Sequence, residues 1–342
     1  MSLSYETQMT AYKLLTEILG VKNGETVVIY SDTMSDEVVV DATAAAATLL
    51  GALPVVIKMP TPPKLYPEFP ISVREAIKNA DVFIEMGGGS VVQYGSTYFE
   101  MKNAKKARYT CLFTVVRDEF VKSLGRIDIG KTLALTEKLA DLLNGGNKIT
   151  VTSEAGTNLV ANMEGRKASA AGTAKEPGSE TMLIGQVGWT PMEDTINGTI
   201  VVDGGFDMQS VVIPRTPVTF KVKNGVIVEI SGGPEANSLN RFLASFNHPN
   251  MYRIAHYTCG VNPGITEVTG KSILTDERKF GIFLFGFGGQ GEYGVRYKAP
   301  SHHDGIVLDP DLWVDDLQLE KQGKWVHPDL VRICKEMGLP GY

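Results

Sequence analysis

VKNGETVVIYSDTMSDEVVVDATAAAATLLGALPVVIKM, residues 21–59, decides how the first part of this chain folds. Asn23-Gly24 is a turn signal, and Thr26–Tyr30 is a β-branched run of strand length. An alanine-rich helix follows over 36–51, and LPVVIKM (53–59) reads as a second strand. Strand, helix and strand in succession argue for a mostly parallel sheet flanked by helices.

The same texture extends on both sides. Residues 5–20 have the apolar spacing of a helix and end in Gly20. YPEFPISVREAIKNA (66–80) reads as a loop entering a helix, and DVFIEMG (81–87) and KARYTCLFTV (106–115) as strands. From about Lys148 the pattern changes. KITVTSEA (148–155), NGTIVVDGG (197–205), VTFKVKNGVIVEISGG (218–233) and FGIFLFGFGG (280–289) are short β-rich runs parted by Gly and Asn turns. Only SLNRFLASF (238–246) and HPDLVRICKEMG (327–338) stand out there as helices. The expected fold is α/β. An N-terminal, helix-flanked, mostly parallel sheet domain (1–145) precedes a C-terminal α+β domain (146–342) rich in antiparallel pairing, with the boundary near LNGGNKI (143–149).

Composition narrows the function. The 342 residues are 43% hydrophobic and 21% charged, values of a globular protein with material for two cores. A net charge of -6 does not attract phosphate backbones or anionic lipid, so neither nucleic acid nor a membrane is an expected partner. The N-terminus lacks a basic segment followed by an apolar one, and no window is apolar enough to span a bilayer. Cys111, Cys259 and Cys334 form no CxxC pair and read as reduced thiols. A cytoplasmic enzyme is the expectation.

All five histidines lie at or after position 248, so any histidine chemistry belongs to the second domain. In SHHDG (301–305), His302 and Asp304 are two residues apart, and in an extended segment both side chains leave the same face, with His303 on the other. Such a pair also occurs by chance in solvated turns. His256, between an apolar run and a Gly/Pro-rich loop, reads alone as a satisfied core histidine. Together the three residues make two imidazoles and one carboxylate, a set that leaves half an octahedron open and suits non-haem Fe2+. His248 and His327 each precede a proline and read as surface or capping residues. MGGGS (86–90) follows a strand and invites a phosphate reading, yet lacks both the GxGxxG spacing and a Walker lysine. GFGGQGEYG (286–294) reads as a flexible turn or as a wall of the site.

Several segments resemble the aminopeptidase T family of metallopeptidases: residues 21–59, TSEAGTNLVANMEGR (152–166), TPMEDTINGTIVVDGG (190–205), NPG (262–264) and SHHD (301–304). The resemblance covers nearly the whole chain and implies a two-metal site, but the residues depart from it. Gln186, in IGQVGWTP, and His256 stand where that family carries glutamates, and Leu284 stands where it carries a histidine. Fewer carboxylates leave too little negative charge to hold two divalent cations together. The altered pattern is similar to the 2,5-dihydroxypyridine 5,6-dioxygenases. FNHPNMYRIAH (246–256), GGPEA (232–236), FLF (283–285) and His302-x-Asp304 carry this likeness.

That second resemblance implies an Fe2+ enzyme, one ion per chain, with His256, His302 and Asp304 as ligands. Its partners would be a small aromatic substrate and O2, and its reaction an extradiol-like ring cleavage. Glu193 and Tyr293 are then the catalytic candidates, and Gln186 and Ser301 the substrate-binding ones. Glu193 and Asp194 read equally well as turn formers. The alternative is an aminopeptidase-type hydrolase using Zn2+ or Co2+. Homo-oligomerisation is expected by analogy with related scaffolds.

Overall fold

The structure, a computed structural model, describes residues 3–62, 68–93, 95–104, 106–289 and 292–342. The chain divides into two compact units, one of residues 1–129 with 171–184 and the other of 130–170 with 185–342. The division therefore falls at the first residue of helix Ile129–Leu143, whereas the composition shift lies at its end. It also returns a short later segment to the first unit.

The first unit is built on five parallel strands in the order Leu53–Met59, Thr26–Asp32, Val82–Glu85, Arg108–Cys111, Glu180–Met182. The stretch at 21–59 folds as its texture requires. Thr26 pairs with Leu53 and Asp32 with Met59, and the intervening helix runs Glu37–Leu49. Asp36 caps that helix by accepting the Val38 N–H at 3.1 Å, which satisfies one of the donors a helix start leaves over. The fifth strand is three residues long and comes from the returned segment. Val28, Tyr30, Phe83, Tyr98 and Tyr109 make the core on one face of this sheet, and Val27, Ile29, Val82 and Ile84 are buried on the other.

The second unit holds two wholly antiparallel sheets. One has eight strands, in the order Val226–Ser231, Val218–Lys223, Asn197–Val202, Asn158–Asn162, Lys148–Thr152, Asp311–Val314, Leu317–Lys321, Lys324–Trp325. The other has seven, in the order Val211–Val212, Gly205–Asp207, His302–Leu308, Ile282–Gly288, Ile254–Gly260, Gln186–Trp189, Ser169–Ala170. The hairpin at 218–231 turns on Asn224 and Gly225, both at positive φ (49° and 74°), the geometry that matches strand twist. The two sheets share one core. Phe220 of the first meets Phe285 of the second edge to face at 5.2 Å with Phe287 against both, and Trp189, Tyr257 and Phe283 pack on one another in the same core.

Period-two alternation then decides what the seven-stranded sheet carries on its other side. Val187, Trp189, Tyr257, Cys259, Phe283, Phe285 and Val307 belong to the shared core. The residues between them, Gln186, Gly188, Thr258, Leu284, Gly286 and Asp304, face away from it. No helix among the described residues is long and apolar enough to cross a membrane.

Candidate metal centre

On that outer face, His256, His302 and Asp304 converge. They form the one group of metal-ligating side chains found among the described residues, with donor atoms all within 4.8 Å of one another. Asp304 Oδ1 is 3.3 Å from His302 Nε2 and 3.6 Å from His256 Nε2. Neighbouring donors about 2.1 Å from one ion and at right angles to each other are about 3 Å apart, so the set fits a shared cation with little movement. The two imidazoles lie nearly parallel, 18° apart with centroids at 4.9 Å. Burial, and then the neighbouring His302, hold the His256 imidazole well below the usual histidine range. It is therefore neutral, the form that offers a nitrogen lone pair to a metal.

Backbone pairing explains the convergence. His302 and Asp304 sit two apart on strand His302–Leu308, and Gly286 lies opposite Asp304 on the central strand. A Cβ at Gly286 would come within 2.6 Å of His256 Cε1 and Nδ1 and 2.7 Å of His302 Cε1, so only glycine leaves room for both rings there. From the neighbouring strand Gly205–Asp207, Asp207 pins the ligand strand. Its Oδ1 accepts the Asp304 N–H at 2.6 Å, and its Oδ2 is 3.0 Å from His303 Nδ1. His303 itself is packed in the core against Phe242, 4.9 Å between centroids.

The other residues singled out from sequence take different places. Tyr293 lies beside the triad, its ring 5.1 Å from that of His256. Gln186 is buried on the adjoining strand, where its amide donates to Thr258 Oγ1 at 3.1 Å and to the Glu277 carboxyl. Glu193 is not among the converging donors. It is paired with Arg166 at 2.6 Å, and it accepts the Arg296 N–H at 3.1 Å. Ser301, one residue before His302, contributes through its backbone, its carbonyl accepting the Gly289 N–H at 3.0 Å. His248 and His327 both cap, accepting the N–H groups of Asn250 and Asp329 at 3.2 and 3.3 Å. Residues 290 and 291 of the GFGGQGEYG segment lie outside the described residues.

Glu277 and Arg278 were not anticipated. They form a buried ion pair, and the Glu277 pKa is raised, by burial first and further by the negative charge of Asp304, against the pull of Arg278. The signal was present in DERKF, but nothing in one sequence says that this charged run turns inward.

The glycine-rich loop of the first unit has a filled cradle. Gly88 and Gly89 N–H and the Ser90 hydroxyl donate to the Asp32 carboxylate at 3.0, 2.9 and 2.9 Å, and the Met34 N–H joins them at 2.9 Å. Burial alone would raise the Asp32 pKa. These donors outweigh it and lower the pKa. The anion that such a loop can hold is supplied by the chain itself.

A family profile described as 2,5-dihydroxypyridine 5,6-dioxygenase matches residues 8–327. A curated relative of that description from Pseudomonas putida is 29% identical over 202 residues, covering 55% of this chain and 57% of the relative. The chain thus spans little more than half the length of that relative in the match. Among solved structures, the 2,5-dihydroxypyridine dioxygenase from Pseudomonas putida KT2440 superposes with a TM-score of 0.80 at 22% identity, over 96% of this chain and 99% of that one. Wild-type AmpT from Thermus thermophilus superposes with a TM-score of 0.72 at 17% identity, over 95% and 100%. At these identities the superpositions establish the fold alone.

Proposed function

Because this chain belongs to the 2,5-dihydroxypyridine 5,6-dioxygenase family, we propose that it opens a hydroxylated N-heteroaromatic ring such as 2,5-dihydroxypyridine with O2, using one Fe2+ held by His256, His302 and Asp304. The observation that carries the reading is the convergence of two imidazoles and a single carboxylate on one buried point. A bound Fe2+ would couple an electron-rich ring to O2 and lower the pKa of a coordinated ring hydroxyl.

The chain's own residues do the rest. Burial keeps the His256 imidazole neutral, so no proton competes for it near neutral pH. The Asp304 carboxylate supplies the negative charge a divalent ion requires, and Asp207 fixes its backbone. Ile282, Leu284 and Ile306 form an apolar cluster on the same strands and keep water from the metal's surroundings. Tyr293 stands against His256 as one wall. A planar ring resting on that wall would be oriented before it reacts, which lowers the entropic barrier.

The competing reading, a two-metal aminopeptidase using Zn2+ or Co2+, needs carboxylates where Gln186 and His256 stand. It predicts two ions per chain and cleavage of aminoacyl anilides. Anaerobic loading with Fe2+ followed by oxygen-uptake measurements on 2,5-dihydroxypyridine separates the two. The proposal expects uptake with ring opening. Bound iron without uptake on any dihydroxylated ring would remove it.

A further inference from the structure

Tyr293 has an unusual backbone. Its φ is 45°, in the left-handed region that non-glycine residues rarely adopt. Such a conformation persists only where its surroundings over-determine it. Two groups do so here, both far away in sequence. Arg166 donates through Nη1 to the Gly294 carbonyl at 3.3 Å and through Nη2 to Glu193 Oε2 at 2.6 Å. Glu193 in turn accepts the Arg296 N–H through Oε1 at 3.1 Å. The pair thus grips the backbone on the C-terminal side of Tyr293 at two points. Both side chains are nearly buried, at 12% and 10% exposure, so solvent screens this ion pair far less than a surface one.

The ring is fixed at its other end by the sheet. A Cβ at Gly188 would lie 2.2 Å from Tyr293 Cζ and 2.5 Å from its hydroxyl oxygen. The phenol therefore rests directly on the backbone of strand Gln186–Trp189, on the face that carries the triad, while its ring reaches His256.

We propose that Arg166 and Glu193 are positioning residues. Their buried ion pair holds the 293–296 backbone, and through it sets the Tyr293 ring between Gly188 and His256 as the wall that orients the aromatic substrate. Glu193 then acts through Tyr293 and does not touch the substrate. The substrate-orienting part rests on the ring-cleavage reading given above. The placement of Tyr293 does not.

The test uses the full chain with 3-fluorotyrosine placed only at position 293, followed by 19F NMR without metal. Arg166→Ala and Glu193→Ala should each move the resonance toward that of free fluorotyrosine and narrow it. Arg166→Lys, which keeps the charge but loses the two-point grip, should fall between them and the parent. Gly188→Ala displaces the ring from the opposite side without touching the ion pair, and its φ is ordinary, so it calibrates the shift that a displaced ring gives, while the milder Arg166→Lys carries the test if an alanine variant fails to fold. In the Fe2+-loaded, unlabelled protein the same substitutions should leave one ion bound per chain and lower kcat/KM about 10- to 100-fold. An unmoved resonance in the folded Arg166 and Glu193 variants overturns the positioning claim, whatever Gly188→Ala does. A moved resonance with unchanged kcat/KM on an active enzyme upholds the placement and overturns the substrate-orienting role. An enzyme without ring-cleaving activity defeats the functional reading instead, and the NMR result still decides the placement.

Discussion

Replacing Gly286 by alanine probes the centre with a single methyl group. The position has ordinary backbone geometry, so the substitution strains no dihedral angle, and the effect is steric. The new Cβ would sit 2.6 Å from two atoms of His256 and 2.7 Å from one atom of His302. Carbon contacts normally begin near about 3.5 Å, so an overlap of close to 0.9 Å must be relieved by turning the rings. Both imidazoles would swing on their stems, and both Nε2 atoms would leave the point they share with Asp304. Overpacking of this kind costs about 1–3 kcal/mol. If that cost falls on the metal-bound state, Fe2+ or Co2+ affinity drops roughly 5- to 150-fold. Anaerobic chelator competition measures it. Gly172→Ala is the control, because nothing lies within 4 Å of its Cβ and its φ is ordinary. A folded Gly286→Ala protein that binds metal within a factor of about two of the parent would refute the argument that these two rings hold the ion.

Three further substitutions test other parts of the account. Asp207→Asn leaves one carboxylate-quality acceptor too few for the Asp304 N–H and His303, and should cost about 1–3 kcal/mol, read as a lower urea midpoint and poorer metal retention. Glu85, fully buried, has its pKa pushed up from 4.5 to about 7 by burial, against hydrogen bonds from Tyr109, Val92 and Gln93. Below pH 4.5 both folded and unfolded chains carry its proton; as pH rises to about 7 the unfolded chain loses it first, so stability should fall by at most about 3 kcal/mol and then level off. Urea titrations across that range should show the slope, and Glu85→Gln should flatten it; an identical slope in the variant would discredit the assignment. Asp32→Ala strands the donors of Met34, Gly88, Gly89 and Ser90 and should cost about 1–3 kcal/mol or more, with no recovery of thermal stability on adding ATP. Recovery would mean that the loop is a nucleotide site after all.

Local rules made some of this structure readable from the amino acids. LPVVIKM is the strand Leu53–Met59 residue for residue, and Asn224-Gly225 makes the hairpin its composition requires. Period-two alternation places His302 and Asp304 on one face and His303 on the other, because a strand leaves no alternative. The prolines after His248 and His327 mark the helix starts that those residues cap. What stayed hidden depends on distance along the chain. Arg166 and Glu193 meet across 27 positions, and Asp207 reaches Asp304 across 97. Glu180–Met182 is too short to announce itself as a strand and gains its place only by pairing with Arg108–Cys111. Gly188 and Gly286 matter for the side chains that approach them, and a glycine in a strand does not say which neighbour needs the space. Glu193 sits in a turn-forming EDT segment, as its sequence suggests, yet its carboxylate goes to Arg166, and only the folded chain reveals that partner.

The most direct test of the central claim is the amount of Fe2+ retained after anaerobic loading and gel filtration. Two imidazoles and one carboxylate sharing a single point predict one equivalent per chain, abolished in His302→Ala. Two equivalents in the parent, or one that survives that substitution, would contradict the account.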